Sequence, residues 1–427
     1  MPRSLEYAYA VVTLLLLTQG PVYRLWLESA ENLATSPSPT MPHAYFATFA
    51  AAQIPAIFLV GRALNTAFLR RKSNILLITL LVWLGATVSW ATLARHSLPE
   101  FVALVCTTTF GLYLAMRFPP RTMWWIILTA TGAGLGWSLF AILRSWSGAS
   151  DPTDDYWIGI YFNRNSLAPV AAIVLVSAIA VILTAERHGL QFVFSVIAGL
   201  SLASLAILTL WRSESRTSPL ALGVALGATT LWLALRTLVK RSRGSLGNWS
   251  PSLITLLITA IVVFLALRTI GGLSGAPGET VTFNSRGPLW SLSWSGFQMR
   301  PWHGWGWLSA WHTPEFFRQG VWWAAWDTTW AHSGYFDLLL GGGVPAAALF
   351  AAFVATAARD FDNGSWNESG MRLVLAVFVL AAATQESFFI GSHFLWALLV
   401  AVMCGTGRRD QASVDEEHSG ERAPRTT

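Results

Sequence analysis

Charge is scarce in this chain. Only 12% of its 427 residues are Asp, Glu, Lys or Arg, while 54% are apolar and the mean hydropathy is +0.49. Soluble domains carry about 25% charged residues, so the deficit excludes an ordinary soluble protein. Cysteine is nearly missing as well. Cys106 and Cys404 both fall in apolar runs, and no disulfide framework or thiolate zinc site can be built from them. Lysine is limited to Lys72 and Lys240, which leaves arginine to supply almost all of the positive charge in a balance of 28 basic to 22 acidic residues, or +6. That bias fits a GC-rich genome, and it also fits phosphate chemistry, because a guanidinium grips phosphate bidentately and keeps its proton. No repeat with a period of roughly 20–50 residues is present, which excludes a solenoid or array.

What the chain does have is long apolar runs. Stretches of about 20 apolar residues, enough to cross ~30 Å of hydrocarbon, occur near 6–26, 44–64, 74–94, 98–116, 122–143, 166–184, 190–210, 218–238, 251–271, 333–357, 372–386 and 388–405. The first is preceded by a single arginine and followed by no small-residue cleavage site, so it reads as a retained helix rather than a signal peptide. With both ends placed inside, the inner loops and termini hold 18 of the 28 basic residues, as the positive-inside rule requires. The expected architecture is therefore all-α and polytopic, with about twelve transmembrane helices. Residues 1–272 form the first nine, 273–331 a large outer loop, 332–406 the last three, and 407–427 a disordered inner tail.

Two features of the outer side call for an explanation. The loop 273–331 carries ten of the 23 tryptophans, a density that suits either an interfacial belt or a surface on which sugar rings stack. The outer side also keeps ten arginines. Arg24, Arg95 and Arg144 sit at span ends and read as snorkelling anchors. Others lie in polar turns: Arg164 in Asn163-Arg164-Asn165-Ser166, Arg212 and Arg216 in Arg212-Ser213-Glu214-Ser215-Arg216-Thr217, and Arg286 in Ser285-Arg286-Gly287-Pro288. Arginines gathered at one membrane level should face an anion or a watery cavity. Few outer acids lie beside them in sequence, and ion pairs with Glu214, Glu279, Glu315 or Asp327 compete with phosphate as their purpose.

His332, where the loop re-enters the membrane in Trp330-Ala331-His332-Ser333-Gly334-Tyr335, is either an interfacial hydrogen bonder or a base. Imidazole is the side chain best suited to taking a hydroxyl proton near neutrality. His303, His312 and His393 are weaker outer candidates. A hard-cation site could be imagined at Asp151, Asp154 and Asp155, but acids in a polar loop are usually just solvated, and no metal and no cofactor are expected. If phosphate is handled, arginine is its expected charge partner.

These stretches together resemble the O-antigen ligase family, the multi-span bacterial enzymes grouped as Wzy_C ligases and polymerases. Phe162-Asn163-Arg164-Asn165-Ser166-Leu167-Ala168 is similar to the family's Asn-Lys/Arg-Asn-x-x-Ala element, and Ser213-Glu214-Ser215-Arg216-Thr217 to its Ser-Arg-Thr/Gly turn. Arg286 to Trp290, followed by Pro301-Trp302-His303-Gly304-Trp305-Gly306, resembles its Arg-x-x-x-Trp and Pro-x-x-Gly-x-Gly elements. His332-Ser333-Gly334-Tyr335 resembles its His-Asn-x-Tyr/Leu. The likeness covers about residues 160–345. It implies a GT-C-type transferase of the bacterial inner membrane, with its active site facing the periplasm. Such an enzyme would move a polysaccharide from undecaprenyl diphosphate to a lipid A-core sugar hydroxyl, without metal and with inversion. The resemblance implies that Arg216 and Arg286 hold the diphosphate, that Arg164 assists and that His332 serves the acceptor hydroxyl. Asn163, Asn165, Arg212, Ser215, Tyr335 and Trp305 would then line the substrate. Partners are the lipid-linked glycan, the lipid A-core acceptor and membrane lipids, with no nucleic acid, and the chain is expected to act as a monomer.

The sequence departs from the family pattern in two places: Ser333 stands where Asn is usual, and Gly341-Gly342-Gly343 where an acid is common. A polymerase or an oligosaccharyltransferase would use the same diphosphate chemistry on another acceptor. A twelve-span lipid or sugar transporter is the alternative from another class, but carriers place functional charge near the midplane between repeated halves, and the spans read as almost free of charge.

Overall fold

The computed structural model describes residues 3–26, 43–64, 66–186, 188–242, 249–273, 286–313 and 330–405. Among these the chain is helical, with one isolated antiparallel bridge between Ser150 and Trp157 and no strand. The α-helices are α1 (Arg3–Leu17), α2 (Gly20–Trp26), α3 (His43–Ala63), α4 (Thr66–Arg70), α5 (Lys72–Thr87), α6 (Ala94–Arg117), α7 (Pro120–Leu143), α8 (Arg164–Thr184), α9 (Leu190–Arg212), α10 (Thr217–Arg241), α11 (Pro251–Leu273), α12 (Arg286–Met299), α13 (Gly334–Ala358), α14 (Trp366–Ala382) and α15 (Phe394–Cys404). Among the described residues seven stretches of helix are long and apolar enough to cross a membrane, and three shorter apolar ones span Ala47–Ala63, Pro251–Ala266 and Phe394–Cys404. Every apolar run seen in the sequence is thus helical over most of its length, and among the described residues seven stretches reach spanning length on their own.

Burial ranks the helices. Every residue of α15 is buried, as are most of α8 and of α14 from Ser369 on. A helix that is apolar on all sides belongs in the middle of a bundle or in lipid, and here these three are the middle. By contrast α9 shows Val193, Phe194, Ile197, Leu200 and Ile207 to the outside, and α11 shows Leu257, Ile261, Val262 and Phe264, which is the face a membrane protein turns to lipid. Helix α8 packs between α7 and α9, α10 lies on α14, α5 on α13, and α6 between α3 and α15. Local signals start the central helices. The Asn163 carboxamide caps α8 by accepting from Ser166 N–H at 2.9 Å, and Ser365 caps α14 by accepting from Glu368 N–H at 3.3 Å.

The helix ends form two polar layers. On one, Arg117 grips the Glu6 carboxylate bidentately at 2.7 and 3.1 Å, Arg71 pairs with Asp360 at 2.6 Å and Arg121 with Glu186 at 2.5 Å. On the other, Arg24 donates to the carbonyls of Ser147 (3.0 Å) and Gly159 (2.8 Å), and Trp90 Nε1 donates to the His303 carbonyl at 3.1 Å. Arg24 is therefore a buried staple between α2 and the loop before α8, not the snorkelling anchor its position suggests.

Two expectations about spans are corrected. The first run is broken at Thr18-Gln19, where Gln19 takes a φ of 72° and its amide donates to the Ser392 carbonyl at 3.2 Å. The last two runs, which abut in sequence at Ser387, are separated by a non-helical segment from 383 to 393. Its backbone is held to other elements: Gly334 N–H donates to the carbonyls of Ala383 (2.9 Å) and Glu386 (3.1 Å), and Ser392 N–H to Thr107 Oγ1 (3.0 Å). The segments 274–285, 314–329 and 406–427 lie outside the described residues, and with them much of the tryptophan-rich loop and the tail.

Candidate active site

Helix α13 does not run straight. Gly343 takes a φ of 66° and a ψ of −162° inside it, a conformation that only glycine adopts cheaply. The break is where the turn after α12 docks: Trp305 N–H donates to the Leu340 carbonyl at 2.7 Å, Val344 N–H to the Pro301 carbonyl at 2.8 Å, and Trp83 Nε1 to the Gly342 carbonyl at 2.7 Å. A Cβ on Gly343 would lie 2.6 Å from the Pro301 and Trp302 carbonyl oxygens, and one on Gly304 2.6 Å from that of Leu340. Gly341-Gly342-Gly343, which departs from the family pattern, is thus the seat that fixes α12 and the Pro301–Gly306 turn against α13.

Docked in this way, the two elements put Arg286, first residue of α12, next to His332, just before α13. The link between them is a residue that the sequence reading passed over. The Glu386 carboxylate, in the 383–393 segment, pairs through Oε1 with Arg286 Nη2, and its Oε2 lies 3.2 Å from His332 Nδ1. Gln385 Oε1 accepts from Arg286 Nη1 at 3.2 Å. The group is enclosed, with side chains of Arg286, Glu386 and His332 only 6%, 13% and 21% exposed. His332 itself takes a φ of 48°, a left-handed conformation uncommon for any residue but glycine. The surroundings hold it there: Ala331 N–H donates to Asp337 Oδ1 at 2.8 Å, and the next peptide but one is tied to the Glu386 carbonyl. Backbone held in such a region tends to mark a functional position.

A second cluster lies at the starts of α8 and α10, where Ser215 Oγ donates to Asn165 Oδ1 at 3.0 Å. The Arg164 guanidinium sits 4.5 Å from the centre of the Tyr156 ring. Arg216 immediately precedes α10, exposed. Helices α10 and α14 are antiparallel, with Gly370 against Trp232 and Thr229. Thr217 precedes Trp232 by as many residues as Gln385 follows Gly370, so at ~1.5 Å per residue Arg216 lies at about the level of Gln385 and Glu386. The described contacts include none between Arg216 and that group.

The remaining predicted residues fall elsewhere. Arg212 pairs with Asp155 Oδ2 at 2.7 Å and lies 5.6 Å from the Trp157 ring centre, so it has a protein counter-ion. Asn163 is occupied as the cap of α8. Trp305 is 1% exposed and its Nε1 donates to the Gly296 carbonyl at 2.9 Å, which makes it a support for the turn and leaves no ring face for a sugar. The Tyr335 hydroxyl donates to the Leu380 carbonyl at 2.8 Å. His303 touches the Trp90 ring, His393 caps α15, and His312 packs on His96 with ring centres 4.0 Å apart, where burial lowers its proton affinity. None of the three touches Glu386 in any described contact. Asp151 is absorbed by its own turn: hydrogen bonds from the Thr153 hydroxyl and from the Asp154 and Thr153 backbone hold its carboxyl well below the usual range. Among the described residues no three His, Cys, Asp or Glu side chains are grouped for a metal.

The counter-ions of Arg286 and Arg212 are thus Glu386 and Asp155, not the acids expected from sequence. Glu386 was hidden because it stands in what reads as the eleventh span, yet a charge there is itself the signal, since an ionisable residue inside an apolar run is rare and usually functional. Residues 201–351, which contain Arg216, Arg286 and His332, match the family model Wzy_C, described as O-Antigen ligase. No curated protein matches the chain.

Proposed function

We propose that this chain, on the strength of its match to the O-antigen ligase family, is a metal-independent, inverting glycosyltransferase of the GT-C type. It spans the bacterial inner membrane about twelve times, acts as a monomer, and joins a glycan carried on undecaprenyl diphosphate to a lipid A-core sugar hydroxyl at the periplasmic face. Ligase or polymerase-type glycosyl transfer is what the family match suggests at the coarser level. The observation that carries the finer reading is the contact of one carboxylate with both Arg286 and His332. It brings a phosphate-binding group and a proton acceptor, distant in sequence, into one enclosed place.

In this reading the acceptor hydroxyl gives its proton to His332. A carboxylate at Nδ1 favours the tautomer protonated there, which makes Nε2 the basic nitrogen. The hydroxyl oxygen forms a bond to the anomeric carbon of the donor while the bond from that carbon to the diphosphate oxygen breaks, its electron pair leaving with the diphosphate. Arg286 and Arg216 meet the charge that develops on that oxygen, and fixed donors of this kind supply the largest part of many enzymes' rate. The positive dipole at the amino end of α10 adds to Arg216 there. Arg164, Asn165 and Ser215 shape the rim nearby.

The test is transfer of lipid-linked glycan to lipid A-core by the purified protein. His332→Ala should keep binding of undecaprenyl diphosphate and lose transfer by about 10²–10⁴-fold, and Arg216→Ala should weaken that binding. Undiminished transfer in His332→Ala would remove the histidine from the mechanism. A lipopolysaccharide gel of a deletion strain separates the products: lipid A-core without long chains, with lipid-linked polymer accumulating, identifies a ligase.

A further inference from the structure

We propose that Glu386 is an internal stand-in for the donor's diphosphate, holding Arg286 while the site is empty and yielding it when the donor arrives, so that its charge is then directed at His332. The inference rests on the transfer reading above and concerns a positioning residue. Its basis is the division of one carboxylate between two partners, Oε1 on Arg286 and Oε2 toward Nδ1 of His332, in a place closed enough that Arg286 has 6% of its side chain exposed. A phosphate cannot take the fork of that guanidinium without displacing the oxygen already in it. Gln385, the other acceptor on Arg286, is neutral and can stay.

The exchange has a chemical consequence. With Arg286 turned to phosphate, Glu386 is left as a buried anion beside further negative charge, which is unfavourable unless a cation forms next to it. The imidazolium produced when His332 takes the hydroxyl proton is that cation. Donor binding and proton acceptance are thereby coupled through one side chain: an empty site has its carboxylate neutralised by Arg286 and draws little on the histidine, whereas an occupied one favours the proton transfer. The backbone bond from Gly334 N–H to the Glu386 carbonyl holds the acid in reach of His332 throughout.

The test uses the full-length protein in detergent with undecaprenyl diphosphate, free of glycan, as the binding probe, alongside the transfer assay. Glu386→Gln keeps the shape and an acceptor but removes the charge. It should bind the probe at least tenfold more tightly, about one 1.4 kcal/mol step, because its competitor is weakened. Its turnover should fall by about 100-fold, within the range of a general base losing its support. Glu386→Asp restores the charge and should recover part of the turnover while losing the gain in affinity. Opposite shifts of binding and turnover are not expected of a merely structural residue, whose loss would impair both. Weaker or unchanged probe binding in Glu386→Gln, or unchanged turnover, overturns the exchange. If Glu386→Gln does not fold, Glu386→Asp alone should still bind the probe with about wild-type affinity while turning over more slowly than wild type, and wild-type turnover there, or a loss of both binding and turnover, overturns it too. His332→Ala separates the two ideas, since full transfer in that variant defeats the base reading whatever Glu386 does.

Discussion

Replacing Arg286 by methionine removes one member of an enclosed ion pair and leaves the other charged. Because the Arg286 and Glu386 side chains are 6% and 13% exposed, little solvent is at hand to compensate, and breaking such a pair from one side costs about 3–5 kcal/mol. The stranded carboxylate still has His332 Nδ1 3.2 Å away, so the lower end, about 3 kcal/mol, is expected. The double variant Arg286→Met with Glu386→Gln has no stranded charge and should recover most of the loss, ending within about 1 kcal/mol of the wild-type protein. Glu386→Gln alone should cost less than Arg286→Met, because Gln385 and the new carboxamide still offer neutral acceptors to the guanidinium. The four proteins would be unfolded in mixed detergent and followed by tryptophan fluorescence. A double variant less stable than Arg286→Met, or an Arg286→Met protein as stable as wild type, would show that the pair is not a buried partnership and would remove the ground for the site.

Gly304→Ala places a Cβ 2.6 Å from the Leu340 carbonyl oxygen at a φ of 64°, so it should lower stability by about 1–3 kcal/mol and reduce transfer by shifting α12, and a melting temperature equal to wild type would contradict the docking described. Trp305→Phe loses the bond to the Gly296 carbonyl and should cost about 1 kcal/mol with transfer preserved once folded; complete loss of transfer in a folded Trp305→Phe protein would mean that the ring meets substrate after all. Ser215→Ala unlinks Asn165 and should cost about 1 kcal/mol, read as a lowered unfolding midpoint, while weakening undecaprenyl diphosphate binding less than Arg216→Ala does. Transfer should persist in EDTA, and an inhibition reversed by Mg²⁺ would reopen the question of the Asp151, Asp154 and Asp155 turn.

Helix positions were readable from the sequence because a membrane span advertises itself twice, by apolar length and by polar ends. What the pattern does not carry is how far each helix continues before the backbone turns. Gln19 breaks α1 from α2, and the signal there, a Thr18-Gln19-Gly20-Pro21 run, marks a turn but is masked by the apolar residues that flank it on both sides. The stretch from Ala383 to His393 keeps the apolar Phe388, Phe389 and Ile390 that make it look like span, yet its backbone bonds go to Gly334 and Thr107 rather than along a helix. Irregular backbone at such depth is tolerated only where protein covers it, and burial by neighbouring helices is a property of the fold that no window of sequence contains.

The same limit explains which site residues were legible. Arg286 and His332 lie in polar turns whose composition stands out against an apolar chain, and each could be named singly; that one acid joins them depends on α14 and α15 delivering Glu386 between α12 and α13. Arg212 and Trp305 stood out for the same compositional reason and turned out to have protein partners, Asp155 and the Gly296 carbonyl. An outer arginine is therefore no evidence for a bound anion until its counter-ion has been sought in space. Arg286 fails that criterion if its partnership with Glu386 is permanent and meets it only if the partnership can be exchanged. The part of the reading that gives Arg286 to phosphate thus stands on the Glu386 carboxylate being a displaceable counter-ion rather than a fixed one, and His332 stands on its own test.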